Sequence, residues 1–297
     1  MMKYSDNQIK ELLNDIIFSD YRNNPIILLD QWDKTGEQKY IASLHKQYEN
    51  ILLDFNRIFP HRDIQNRVLE ISSFLGVVDI ALSKIGFDVY TYDIPVFQQN
   101  SNLNRLYTAH GVHSSSGSVK DIGKNGLPFP DNHFDAVILS EVLEHVPVNP
   151  LPILQEINRI LKNNGIVYIT TPNQVNLIHR ILIIFGRSIR NPVSDLVTQT
   201  DPAKNTICGV HWREYTLQEL TDLLKIAGFS VHEYTFSQKG QQAEFTMKGM
   251  FFSKVFNILY WIFPQTGNSI TILGKKDAST PVKFRSDDEF IKYYPTS

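Results

Sequence analysis

Apolar residues in the first sixty positions recur at helical steps. Tyr40, Ile41, Leu44, Tyr48, Ile51, Leu52, Phe55 and Ile58 fall three and four apart, which predicts one amphipathic helix over Tyr40 to Phe59. Residues 1 to 61 read as a helical extension that packs on the domain C-terminal to it or, as a second reading, closes over that domain as a lid. From Asn66 the rhythm changes to short apolar runs alternating with helical patterns, the mark of βα units around a parallel sheet. Strands are expected at Arg67 to Ile71, Phe87 to Tyr92, Gly111 to Ser116, Phe134 to Leu139, Ile166 to Thr170, Phe229 to Phe236 and Ser269 to Leu273.

The helices between them have readable ends. Gly86 is placed to stop a helix over Gly76 to Ile85, and an Asn163-Asn164-Gly165 turn to close one over Ile153 to Leu161. Thr216-Leu217-Gln218-Glu219 has the form of a capping box and opens a helix that stops at Gly228. Apolar helices are expected over Val175 to Ile189 and Met250 to Phe263, and a long loop with only a weak strand between Tyr107 and Pro130. The organisation is one domain, residues 62 to 275, with the extension before it and a polar tail, 276 to 297, after it.

Composition narrows the function. Twenty-nine Lys and Arg stand against 31 Asp and Glu, a net charge of -2 with no basic run, which argues against a nucleic-acid partner. One cysteine, Cys208, allows neither an internal disulfide nor a multi-cysteine zinc site and reads as a small, partly buried hydrophobe. The alternating N-terminus lacks a signal-peptide core, and the most apolar windows fall short of the ~20 residues of a spanning helix. A cytoplasmic location is expected.

In an open parallel sheet, ligands bind beyond the carboxyl ends of the strands. Those ends carry Glu70 to Gly76, Asp93, Ser140 to His145 and Thr171-Pro172-Asn173. Asp93, closing the second strand, is placed to accept both hydroxyls of a ribose, although an ordinary helix cap would use the same side chain. The first turn carries Ser72, Phe74 and a single glycine, Gly76, so it lacks the G-x-G-x-x-G bed of a pyrophosphate, and a dinucleotide dehydrogenase is disfavoured.

Five segments carry a resemblance: Arg-Val-Leu-Glu-Ile-Ser-Ser-Phe-Leu-Gly (67 to 76), Val-Tyr-Thr-Tyr-Asp-Ile (89 to 94), Leu-Pro-Phe-Pro-Asp-Asn-His-Phe-Asp-Ala-Val (127 to 137), Ser-Glu-Val-Leu-Glu-His-Val (140 to 146) and Leu-Lys-Asn-Asn-Gly-Ile-Val-Tyr-Ile-Thr-Thr-Pro-Asn (161 to 173). In order and spacing they resemble the class I S-adenosylmethionine-dependent methyltransferases. That resemblance implies an α/β fold, a Rossmann-like sheet of seven strands with the last antiparallel, plus helical lid insertions. It implies S-adenosyl-L-methionine as cofactor, with Glu70, Ser72 and Gly76 along its methionine and ribose side, Asp93 on the ribose hydroxyls, Ser118 and Val119 near the adenine, and Ser140 in the strand-four loop. Ser72 and Phe74 stand where the family has glycines, and Ser118 where it commonly has Asp.

Methyl transfer from a sulfonium needs alignment and one proton acceptor. His145, where similar small-molecule and sugar methyltransferases can present a histidine to the acceptor, and His211, in a His-Trp-Arg-Glu-Tyr-Thr segment similar to one in glycan-pathway methyltransferases, are the candidates. His211, Arg213 and Glu214 read as one polar cluster that binds sugar hydroxyls or assists the base, and the bland alternatives are a loop-orienting His145 and a solvated Arg213 and Glu214 pair. No carboxylate spacing indicates a metal ion, so none is expected. The acceptor is read first as a sugar or glycan-pathway hydroxyl and second as a quinone or lipid-like hydroxyl. The apolar helices, with Arg180 and Arg187, allow peripheral contact with a lipid-linked substrate. A binding protein that kept the fold and lost the cofactor is the competing class; oligomeric state is not readable.

Overall fold

The computed structural model describes residues 4–27, 33–60, 66–199, 209–238 and 259–277. Cys208, most of the helix expected over 250–263 and the tail from 278 lie outside the described residues. Seven strands form one sheet: β1 (Arg67–Ile71), β2 (Asp88–Asp93), β3 (His113–Ser116), β4 (Phe134–Ser140), β5 (Leu161–Pro172), β6 (Phe229–Ser237) and β7 (Ser269–Lys276). Their order across the sheet is β3-β2-β1-β4-β5-β7-β6. Neighbours from β3 to β5 pair in parallel, and β7 runs antiparallel to both β5 and β6. Strand order reverses between β1 and β4, so their carboxyl ends open the crevice in which ligands of such sheets bind.

Helices of eight residues or more among the described residues are α1 (Asp6–Asp15), α2 (Lys34–Ser43), α3 (His45–Ile58), α4 (Val77–Lys84), α5 (Ser101–His110), α6 (Leu151–Ile160), α7 (Leu177–Ile184) and α8 (Leu217–Ile226). Strand alternation divides the core into two layers. Val68, Ala136, Ile138, Tyr168 and Leu273 face a cluster shared with α1, α3, α4 and α5, whereas Leu69, Ile71, Val137, Leu139, Val167 and Ile169 face α6 and α8. In α4, Val77 through Leu82 are all buried, because the sheet lies on one side and the N-terminal helices on the other. The extension thus forms the outer layer of the core on that side.

Sequence and structure part company at several boundaries. The helix expected over Tyr40 to Phe59 is two helices breaking at Leu44; the Ser43 hydroxyl donates to Tyr40 O at 2.7 Å and competes for the helical carbonyl. The segment before the third strand contains α5, capped by Asn100, whose side chain accepts from Asn102 N and Leu103 N. Gly111, expected at the head of β3, is instead the left-handed residue that ends α5. Leu161 already pairs with Phe134 as the start of β5, and Asn163-Asn164-Gly165 lies within that strand beside a register shift. The apolar helix after β5 spans only Leu177–Ile184, from an Asn176 cap to a left-handed Gly186.

The Pro-Phe-Pro-Asp-Asn-His-Phe-Asp motif lies at the amino end of β4, away from the crevice. Arg159 donates to Leu127 O and Phe129 O and pairs with Asp131, while Asp135 accepts from Arg67 N and Lys162 Nζ. These bonds tie the segment before β4 to α6 and β1.

Candidate functional site

The turn after β1 keeps the backbone path that glycines would supply. Ser72 (φ 62°), Phe74 (φ 53°) and Gly76 (φ 71°) are all left-handed, so the two non-glycine residues hold strained conformations costing about 1–2 kcal/mol each. Ser72 N donates to Tyr92 O at 2.8 Å, and Phe74 N to Asp93 Oδ2 at 2.7 Å. The Phe74 ring packs edge-on against Tyr40 and Phe97, which turns it away from the backbone amides. Gly76 opens α4, and a Cβ there would stand 2.8 Å from Tyr107 Cζ and closer still to its hydroxyl.

Asp93 is 4% exposed and accepts from Phe74 N and, at 2.7 Å, from Ile94 N. Burial raises its carboxyl to about 6, against the lowering effect of those two amides. Each oxygen keeps a further acceptor site, so two ribose hydroxyls can still be taken. Glu70, at the end of β1, is buried beside Asp79. Burial foremost, then the neighbouring carboxyl, raises Glu70 well above the carboxylate range. Asp79 rises to about 7, pushed by burial against hydrogen bonds that include one from Tyr107 Oη at 3.2 Å. Gly117 N donates to Asp93 O at 2.9 Å, which sets half-buried Ser118 and Val119 beside Asp93. Ser140 contacts Thr170 Oγ1 and, from α3, Gln47 Nε2, each at 3.0 Å. The extension therefore reaches the strand ends, where Ser43, Gln47, Thr170 and Thr271 help line a cavity of about 60 Å³. The acidic ends of β1 and β2, the left-handed turn and the glycine opening α4 fit a nucleoside bearing a sulfonium.

A second cluster stands past β4 and β5. His145 ends a short helical turn, Leu143–His145, and its Nδ1 lies 2.9 Å from Val210 O. The segment 210–215 is drawn over the strand ends by Trp212 N, which donates to Glu144 O at 2.7 Å, and by Gln174 N, which donates to Tyr215 O at 3.1 Å. His211 thereby meets His145 edge-to-face, ring centres 5.0 Å apart. His211 Nδ1 lies 2.8 Å from Glu214 Oε1, and His179 Nδ1 of α7 lies 3.4 Å from Glu214 Oε2. Arg213 does not pair with Glu214; it bonds Glu219 at 2.7 Å and lies over the Tyr215 ring. Glu144, fully buried, accepts from Thr171 Oγ1 at 3.1 Å. Asn173 has a structural task, donating to Gln265 O and Gly267 O.

All of the expected site residues thus fall at one end of the sheet, in two groups: Glu70, Ser72, Gly76, Asp93, Ser118, Val119 and Ser140 around the crevice, and His145 with His211 beyond β4. Sequence reading singled out neither Glu144 nor His179, and it placed Glu214 in one polar cluster with His211 and Arg213. Glu144 lay inside the Glu-Val-Leu-Glu-His motif, whereas His179 was hidden in an apolar helix.

The family model described as "Methyltransferase domain" matches residues 43–234. The chain is 26% identical over 159 residues to the ubiquinone biosynthesis O-methyltransferase of Haemophilus ducreyi, covering 52% of this chain and 63% of that protein. With the enzyme of the same name from Xanthomonas oryzae pv. oryzae it is 28% identical over 145 residues, 48% of this chain and 56% of that one. The chain therefore spans about six tenths of the length of these relatives. Among solved structures it is similar to the complex of the Haloferax volcanii Trm112 methyltransferase activator with a methyltransferase (TM-score 0.53, 15% identity, 89% of this chain and 97% of that one). It is also similar to Haemonchus contortus phosphoethanolamine N-methyltransferase 2 in complex with S-adenosyl-L-methionine (TM-score 0.50, 17% identity, 93% of this chain and 58% of that one). This chain belongs to the methyltransferase-domain family.

Proposed function

We propose that the chain O-methylates a small-molecule hydroxyl held at His145 and His211, and that the acceptor is a quinone-type phenol. The observation that carries the reading is the apposition of the two imidazoles beyond β4, at the same end of the sheet as Asp93. S-adenosyl-L-methionine supplies an electrophilic methyl on a sulfonium that departs as a neutral thioether. Asp93 holds the ribose hydroxyls, Glu70 and the 72–76 turn border the methionine side, and Ser118 and Val119 border the adenine. On the acceptor side, half-exposed His145 and His211 receive the hydroxyl proton as the oxygen attacks. Alignment supplies the larger share of the acceleration.

The names of the relatives favour a phenol over a sugar. So does the surface beside the cluster: Ile183, Ile184 and Phe185 at the end of α7 are exposed, next to exposed Arg180, Arg187 and Arg190. That combination suits an acceptor with an apolar tail presented at a membrane surface. Among the described residues, no helix is long and apolar enough to cross a membrane. The glycan-pathway hydroxyl stays as a second reading, supported by the His211 to Thr216 segment. Incubation with cofactor and separate panels of ortho-hydroxylated phenols and nucleotide sugars, with S-adenosylhomocysteine as readout, decides. Product with phenols alone is expected, and product with sugars alone would replace this reading by the second.

A further inference from the structure

We infer that Glu144, His145 and His211 form a binding site for a divalent transition-metal ion of the zinc type, which the acceptor hydroxyl completes. The site itself stands independently of the acceptor proposed above; its use in methyl transfer rests on that reading. One ligand atom from each residue lies within 4.8 Å of the others, and His145 Nε2 is 3.9 Å from Glu144 Oε1. Two imidazoles and a carboxylate form a donor set that suits zinc and its first-row neighbours.

The surroundings fix the ring nitrogens in the form an ion requires. A carbonyl can only accept, so the contact of His145 Nδ1 with Val210 O places the proton on Nδ1 and the lone pair on Nε2. The Glu214 carboxylate does the same for His211, leaving its Nε2 as the donor. Thr171 Oγ1 holds Glu144 Oε2, which turns Oε1 toward His145. Tetrahedral ligands at ~2.1 Å from an ion stand ~3.4 Å apart, so the three atoms need to close by roughly 1 Å. Half-exposed imidazoles on loops can make that movement, and their open side leaves the fourth position to the acceptor. There the ion's charge lowers the pKa of the acceptor hydroxyl. With the ion bound, both Nε2 atoms are engaged, so loss of the hydroxyl proton to bulk buffer replaces the imidazole transfer that serves without the ion; the new O–C bond forms, and the S–C bond breaks with its electron pair left on sulfur.

The test uses the full-length, chelator-treated protein without cofactor. Zn²⁺ is titrated against a chromophoric chelator, Co²⁺ is followed by its visible bands, and Mg²⁺ serves as the hard-ion control. One equivalent of Zn²⁺, a tetrahedral Co²⁺ spectrum and no Mg²⁺ competition are expected. His211→Ala, at a half-exposed position, loses the equivalent with its circular dichroism unchanged, and Glu214→Gln weakens it about 10-fold. Absence of binding by the folded wild type, or an equivalent retained by His211→Ala, overturns the site. S-adenosylhomocysteine affinity, measured on the same stripped protein, separates the two ideas: its loss would defeat the methyl-transfer reading and leave the ion site standing.

Discussion

The cofactor side and the acceptor side of this site are built by opposite means. On the cofactor side, Glu70, Ser72, Phe74 and Gly76 follow one another along a single turn, Asp93 ends the neighbouring strand, and the two carboxyls are buried. On the acceptor side, Glu144, His145, His179, His211 and Glu214 come from three separated stretches of chain, and the histidines stay partly open to solvent. A cofactor common to the family needs the same backbone cradle each time, so its residues sit at fixed local spacings. A variable acceptor is met by side chains that only the tertiary fold brings together.

The severest break of the cofactor side is Gly76→Ala. Its Cβ would collide with Tyr107 at a positive φ, so a destabilisation of about 3 kcal/mol is expected, read as the urea midpoint. Next, His145→Ala strikes the acceptor side alone, with turnover expected to fall about 100-fold while cofactor affinity, read by calorimetry, holds.

The buried carboxyls give the cofactor side a pH signature. Asp93 and Asp79 are raised to about 6 and about 7, so the folded protein binds protons that the unfolded chain releases above about pH 4. The stability these groups contribute is complete below that pH and is lost as pH rises through the two folded values. Thermal midpoints of the apoprotein should therefore fall between pH 5 and 8, and Asp79→Asn should flatten the upper part of that slope. An unchanged slope in the variant would place the titration elsewhere. The smallest effect is that of Ser72→Gly, which relieves a left-handed serine and should stabilise by less than about 1 kcal/mol, with cofactor affinity maintained or improved.

Legibility followed the same division. Strand identities, the placement of Asp93 and the Thr216 capping box could be read from period and spacing because each depends on neighbours in sequence. Helix α5 was missed because Ser101 to His110 is mostly polar and buries only Leu103, Leu106 and Tyr107. Phe74 looked like an obstruction in a turn that wants glycine. Only the fold shows its ring leaving toward Tyr40 and Phe97 while its amide binds Asp93. The ion-binding arrangement was invisible because His211 lies 66 residues past His145, at no informative spacing.

The central claim is a working cofactor half that stands apart from the acceptor half. Calorimetric titration of S-adenosylhomocysteine into wild type, Asp93→Ala and His211→Ala tests it most directly. Micromolar binding by wild type and His211→Ala, lost in a folded Asp93→Ala, is the predicted result. A folded wild type that does not bind, or an Asp93→Ala protein that binds as tightly as wild type, would contradict it.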